Sequence, residues 1–230
     1  MNADIGAVAY LASVWILPIL LAITFHEAAH GWVAWRLGDP TAKSLGRVSF
    51  NPFKHIDLWG TVLIPGILLL TRAPFLFGWA KPVPVNMRQL RQPRRDMAFV
   101  AAAGPLTNFF LAWVSAMAGH LLFLMPHGVA EWFAHNLNNS IQINLILAVL
   151  NMLPLPPLDG GRVAVWLLPD MLAYPLAQLE RFGLFILIGI LFIVPWVTRE
   201  MGVNFDIVGT LIGEPVSWLK NAIFVVTGHR

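Results

Sequence analysis

The chain contains no cysteine. Disulfides and thiolate metal ligands are therefore excluded, and any metal site must be built from nitrogen and oxygen donors. Charge is scarce as well: Asp, Glu, Lys and Arg make up 12% of the residues, against 57% hydrophobic residues and a mean hydropathy of +0.68. That profile departs from a water-soluble domain and fits a chain held in a bilayer. Residues 5–25, 97–130 and 140–158 carry no formally charged side chain. The first run has 21 residues, enough to cross the hydrocarbon core. Met1-Asn2-Ala3-Asp4 lacks the positive n-region of a cleaved signal peptide, so the first span is expected to remain in place. With no internal repeat, low-complexity tract or linker, residues 1–230 read as one integral-membrane domain. Its core covers about 5–165 and its C-terminal helices about 180–226.

The net charge of +3 and pI of 9.7 do not indicate nucleic acid, because no base-reading motif accompanies them. Nine of the 15 Lys and Arg residues fall in two stretches. One holds Arg36, Lys43, Arg47 and Lys54; the other holds Lys81, Arg88, Arg91, Arg94 and Arg95. The positive-inside rule puts both on the cytoplasmic face. Residues 58–80 lie between them, apolar except for Arg72 and broken by Pro65-Gly66 and Pro74. With both flanks cytoplasmic they cannot cross once, so a re-entrant or interfacial segment is expected. The competing reading is a plain transmembrane helix at 59–71, short for a span, which would move one basic loop outside. A second span leads outward from Met97, residues 126–139 form a short external turn with Trp132 and Phe133 in the interfacial belt, and 140–158 return. Phe182–Val197 form a fourth span, and 207–226 either cross or lie at the interface. The fold class expected is an all-α polytopic bundle of about five spans, with a small β element near the cytoplasmic face.

The first span ends in Phe25-His26-Glu27-Ala28-Ala29-His30. Histidines four residues apart share a helix face and can hold one metal ion, while Glu27 stands where it can take a proton from an activated water. Ionisable groups at membrane depth are costly, which makes them functional candidates. A catalytic zinc site uses three protein ligands and keeps one position open. Asp159, in Asn151-Met-Leu-Pro-Leu-Pro-Pro-Leu-Asp159-Gly-Gly-Arg162, emerges on the same side and can supply the third ligand. Pro154, Pro156 and Pro157 stop the helix before it, and Gly160 and Gly161 permit close backbone approach. Asp39, His55 and Asp57 compete for the role, although each also suits a turn or cap beside Pro40 and Pro52.

Together these elements resemble the site-2 protease family of intramembrane zinc metallopeptidases. The resemblance runs from about Phe25 to Arg162. It takes in Leu37-Gly-Asp-Pro-Thr-Ala-Lys43, Asn51-Pro-Phe-Lys-His-Ile-Asp57, Phe77-Gly-Trp-Ala-Lys-Pro-Val-Pro-Val85 and Gly104-Pro-Leu-Thr-Asn108, besides the two elements above. It implies one Zn2+ per chain on His26, His30 and Asp159, Glu27 as base, and Asn151 orienting or stabilising the reacting carbonyl. It also implies the family's compact branch, without a PDZ or nucleotide-sensing domain. The expected activity is hydrolysis of peptide bonds in or near transmembrane segments of membrane-protein substrates. The expected location is the cell (inner) membrane, with a multi-pass chain and an active site near the cytoplasmic face.

Asn108 is a second donor for the oxyanion, or else a helix-packing amide on the same face as Gly104. A membrane zinc-transport or metal-binding protein is the competing class. It calls for polar ligands spread along a path, and Met97–Leu124 and Phe182–Val197 offer little beyond Asn108 and His120. A transmembrane substrate must unwind before attack, because its amides are paired internally. Residues 45–50, Leu-Gly-Arg-Val-Ser-Phe, alternate well enough from Arg47 to form a strand, with Val48 and Ser49 as an edge to which unwound substrate adds. The competing reading is a structural hairpin over the re-entrant segment.

Overall fold

Helix α1 (Ile5–Arg36) sets the frame: its 32 residues make a rod about 48 Å long. The computed structural model describes residues 5–71, 78–202 and 206–229. After α1 come a short α2 (Thr41–Ser44), a 3-10 turn at Pro52–Lys54, a π-turn at Leu58–Leu63 and α3 (Ile64–Leu70). The long α4 (Pro93–Gly119) starts with proline, whose missing N–H costs nothing in a first turn, and Asp96 reaches back to accept Gln92 N–H at 2.8 Å. α5 (His127–Asn151) returns, and α6 (Asp159–Leu167) turns off it. α7 (Asp170–Gln178), α8 (Gly183–Ile188) and α9 (Val194–Glu200) follow one another with only 3-10 and π turns between them, and α10 (Glu214–Thr227) closes the chain.

Helices α1, α4 and α5 pack against one another, α6 lies on α4, and α10 covers α4 and α5. Small residues let the first pair approach closely: Ala22, Ala28 and Ala34 on α1, and Ala98, Ala101 and Gly104 on α4, are all buried. One apolar core joins Ala112, Ala116, Ile141, Leu145, Val216 and Ile223; a second, at the other end, joins Ala34, Leu90, Met97 and Val100. The outer surface carries Leu11, Ile16, Trp32, Leu106, Phe110, Phe185 and Trp196, whereas Thr24, His26, His30, Asn108 and Asn144 are inside. Apolar outside and polar within suits lipid as the surrounding solvent. Ala9–Arg36, Pro93–Gly119 and Asp170–Glu200 are long and apolar enough to cross a membrane, so three of the expected spans meet both criteria.

The expected external turn at 126–139 is corrected: α5 begins at His127. Part of the polarity that suggested a turn faces inward: Asn136 and Asn139 are buried, whereas Glu131, His135 and Asn138 stay exposed. Asn139 donates to the Val14 carbonyl at 2.9 Å and Trp132 Nε1 to Ser13 Oγ at 2.9 Å, tying α5 to α1. The expected β element is not found among the described residues, which contain no strand. Residues 47–50 are irregular and pair with no ladder; α1 beneath them and the Arg47 guanidinium, which binds the Lys81 carbonyl at 2.7 Å, hold them in place.

The two basic stretches meet at one end of the bundle. Arg91 N–H donates to Leu37 O at 3.2 Å, Asn86 N–H to Asp39 Oδ2 at 2.6 Å and Lys81 N–H to His55 O at 2.9 Å. Between them, the described flanks of the 58–80 segment meet: Trp79 N–H donates to Gly60 O at 3.1 Å and Thr61 Oγ1 to Trp79 O at 2.9 Å. Arg72, Pro74 and Phe77 of this segment lie outside the described residues. Lys43 Nζ sits 3.4 Å from the Trp35 ring centre and Arg36 Cζ 5.0 Å from that of Trp32, the cation and aromatic pairing of a headgroup-level belt.

Candidate metal centre

His26 and His30 project from one face of α1 with their Nε2 atoms 2.9 Å apart and their rings edge to face. Both are buried. The Nδ1 of His30 donates to the Val100 carbonyl at 2.7 Å, and that of His26 to Asn108 Oδ1 at 2.5 Å. The acceptors fix the assignment: a carbonyl only accepts, and Asn108 spends its Nδ2 on Ala22 O at 3.1 Å and Asn144 Oδ1 at 2.7 Å. Each Nε2 therefore presents a lone pair to the other. A hydrogen-bond acceptor on the far nitrogen is the usual way a protein aims an imidazole at a metal.

Asp159 opens α6 against this pair. Its Oδ2 lies 3.3 Å from His26 Nε2 and 3.4 Å from His30 Nε2. That oxygen is buried and has no hydrogen-bond partner among the described residues. Three electron-pair donors thus converge with no proton donor between them, an arrangement that a cation relieves. The close approach depends on glycine at two places. A Cβ at Gly104 on α4 would fall 2.5 Å from His26 Cε1 and His30 Nε2. Cβ atoms on Gly160 and Gly161 would strike the backbone of Met152 and of Leu155-Pro156, so the proline turn and the start of α6 close on each other only without side chains there. Two nitrogens and a carboxylate oxygen in this pattern fit zinc, with a fourth position left for water or substrate.

Glu27, half-buried, shares a group with His26 and His30 whose ligand atoms lie within 4.8 Å of one another. Its Oε2 accepts the backbone N–H of Val83 at 2.8 Å. The competing third ligands serve elsewhere. Asp39 accepts the N–H groups of Thr41 and Asn86, Asp57 accepts that of Gly60 at 2.7 Å, and His55 Nε2 bonds the Ser49 carbonyl at 2.9 Å. Asn151 donates back to Leu147 O of its own helix at 3.0 Å and makes no hydrogen bond to His26, His30 or Asp159. Asn108 has both Nδ2 hydrogens engaged, which leaves none for a substrate oxyanion. Val48 lies over α1 beside Val83: a Cβ at Gly31 would meet Val48 Cγ2 at 3.0 Å and Val83 Cγ1 at 3.1 Å. The sequence reading missed two partners of the site. One is Val83, flagged only by the prolines on either side of it; the other is Asn144, a buried amide in an apolar run.

The family model described as peptidase family M50 matches residues 14–142, a stretch that includes His26, Glu27, His30 and Asn108 and stops short of Asp159. The chain is 38% identical to YwhC of Bacillus subtilis over 78% of its own length and 80% of that protein. It is 27% identical to Rip2 of Mycolicibacterium smegmatis over 84% of its length and 77% of the relative, and 31% identical to MJ0611 of Methanocaldococcus jannaschii over 62% and 64%. The names of all three describe zinc metalloproteases. No solved structure matches the chain.

Proposed function

The chain belongs to peptidase family M50, the site-2 protease family of zinc metalloproteases, and from that membership we propose that it cleaves membrane-protein substrates in or near their transmembrane segments. The observation that carries the reading is the convergence of His26 Nε2, His30 Nε2 and the unpartnered Asp159 Oδ2 within 3.4 Å, inside a bundle whose outer surface is apolar. These three residues would hold one zinc ion. When bound, zinc supplies Lewis acidity, bringing the pKa of a coordinated water to about 7 and stabilising charge on a carbonyl oxygen.

The remaining chemistry belongs to the chain. Glu27 is held through one oxygen by the Val83 amide, so its other oxygen faces the task of taking a proton from the attacking water and returning it to the leaving amine. Asn151 keeps one Nδ2 hydrogen beyond its bond to Leu147 O, and this hydrogen is the donor we assign to the developing oxyanion. Asn108 positions His26 and does not touch the substrate.

An unwound substrate needs backbone partners. Among the described residues the N–H groups of Val48, Ser49 and Phe50 have no acceptor, and these residues lie beside Val83 over the His30 turn of α1. They form the edge along which an extended substrate segment adds, even though they make no ladder in the free protein. The centre lies six residues, about 9 Å, from the basic end of α1, which supports a cytoplasm-facing site in a multi-pass protein of the cell membrane. The described flanks 58–71 and 78–80 then lie on one side of the membrane, α5 and the helical run 207–227 complete a five-span bundle, and the chain works as one domain. The test is metal analysis of the purified protein. About one zinc per chain is expected, with a severalfold or greater loss in His26→Ala, His30→Ala and Asp159→Ala. Full zinc occupancy in Asp159→Ala would remove the third ligand from the account.

A further inference from the structure

The hydrogen bond between His26 and Asn108 does not end at Asn108. Its Nδ2 donates to Asn144 Oδ1 at 2.7 Å, and Asn144 Nδ2 donates in turn to the Ser140 carbonyl at 2.9 Å. Asn108 and Asn144 are 0% and 1% exposed, so water does not substitute for these bonds. The chain therefore runs from His26 on α1 through Asn108 on α4 to Asn144 and Ser140 on α5.

Every link has a defined direction. A neutral amide turned end for end exchanges a donor for an acceptor, and nothing in the two side chains alone forbids the turn. The backbone forbids it here. The Ser140 carbonyl only accepts, so Asn144 must aim its nitrogen there and its oxygen at Asn108. The Ala22 carbonyl also only accepts, at 3.1 Å, and receives the second Nδ2 hydrogen of Asn108. With its nitrogen fixed twice, Asn108 presents oxygen to His26, and His26 must carry its proton on Nδ1. Its Nε2 lone pair is then left facing His30 and Asp159.

We infer that Asn144 is a positioning residue for the metal centre: acting through Asn108, it fixes the tautomer of His26 and so tunes metal affinity from two residues away. The inference rests on the proposed zinc site. A merely structural amide would tie α5 into the bundle without bearing on the imidazole. Asn139 supplies that comparison, since it is also buried on α5 and donates to the Val14 carbonyl of α1, outside the relay.

The experiment measures zinc affinity of the full-length purified protein by competition with a chromophoric chelator. It also follows thermal unfolding of the metal-free protein and the visible absorption of the cobalt-substituted form. Asn144→Leu is expected to bind zinc roughly 10–100-fold more weakly than the unmodified chain, the range typical when a hydrogen-bond partner that orients a ligand is lost. Its cobalt spectrum should change in shape. Asn139→Leu should lower thermal stability while keeping zinc affinity within about twofold. Asn144→Ala, which disturbs packing less, carries the same expectation as Asn144→Leu should the latter fail to fold. Unchanged zinc affinity in the Asn144 variants, or equal weakening in Asn139→Leu, would overturn the inference. Failure of the unmodified chain to bind zinc would instead overturn the proposed site on which it rests.

Discussion

The Glu27 carboxylate accepts the amide N–H of Val83 at 2.8 Å, joining residues 56 positions apart in the chain. This bond leaves one oxygen of the assigned base free and fixes its direction. Val83 stands between Pro82 and Pro84. Val83→Pro removes the N–H and is expected to lower turnover by roughly tenfold or more, since a misplaced base loses much of its general-base contribution. Zinc content should stay at the unmodified level. Steady-state cleavage alongside metal analysis checks both, and unchanged kcat would show that the Val83 amide does not orient Glu27.

Gly104 leaves the two imidazoles the space they occupy. In Gly104→Ala the new Cβ would stand 2.5 Å from His26 Cε1 and His30 Nε2, so the rings must move. We expect roughly tenfold or greater loss of zinc affinity with about 1–3 kcal/mol of destabilisation from overpacking. Gly128→Ala provides the comparison, because a Cβ there meets nothing within 4 Å, and it should bind zinc normally. Chelator competition and thermal unfolding of the two variants make the measurement.

The free amides of Val48 and Ser49 give the substrate edge its own test. Proline at either position removes one donor. On the proposed edge, at least one of Val48→Pro and Ser49→Pro should raise KM severalfold for a helical substrate, with zinc content and thermal unfolding unaltered. Equal KM values in both variants, for a helical substrate and for one already unwound, would assign this segment a structural role only.

Sidedness is open to cysteine labelling, which is clean in a chain without native cysteine. Lys43→Cys and Arg88→Cys should react with a membrane-impermeant reagent from the same side, as the bonds between the two basic stretches require. Reaction from opposite sides would break the re-entrant reading of residues 58–80.

The proposed metal ligands are legible in the sequence because their physics is local. Helical spacing brings His26 and His30 together, and the proline run that ends α5 delivers Asp159 at the start of a new helix. Asn108 is legible only as a polar group with an undecided partner, since which atom it turns to His26 depends on the Ala22 carbonyl and on Asn144, 36 residues away. The start of α5 was misread for a related reason. Residues 127–139 are polar enough to suggest a water-exposed turn, but Asn136 and Asn139 are buried against neighbouring helices. In a bilayer the interior of the bundle is where polar groups find partners, so polarity signals packing as readily as exposure. The strand expected at 45–50 failed because an alternating pattern needs a pairing partner, and among the described residues the neighbouring 81–85 segment, with its prolines, supplies no ladder.

The central claim is that one zinc-dependent centre, with Glu27 as its base, cuts a substrate in the membrane. The most direct measurement is cleavage of a single transmembrane peptide by the purified protein and by Glu27→Gln, with zinc determined in the same samples. We expect the unmodified chain to cleave in or near the apolar segment and to lose this activity on chelation. Glu27→Gln should retain its zinc and lose turnover by at least about a hundredfold. Cleavage by zinc-loaded Glu27→Gln at the unmodified rate would contradict the account.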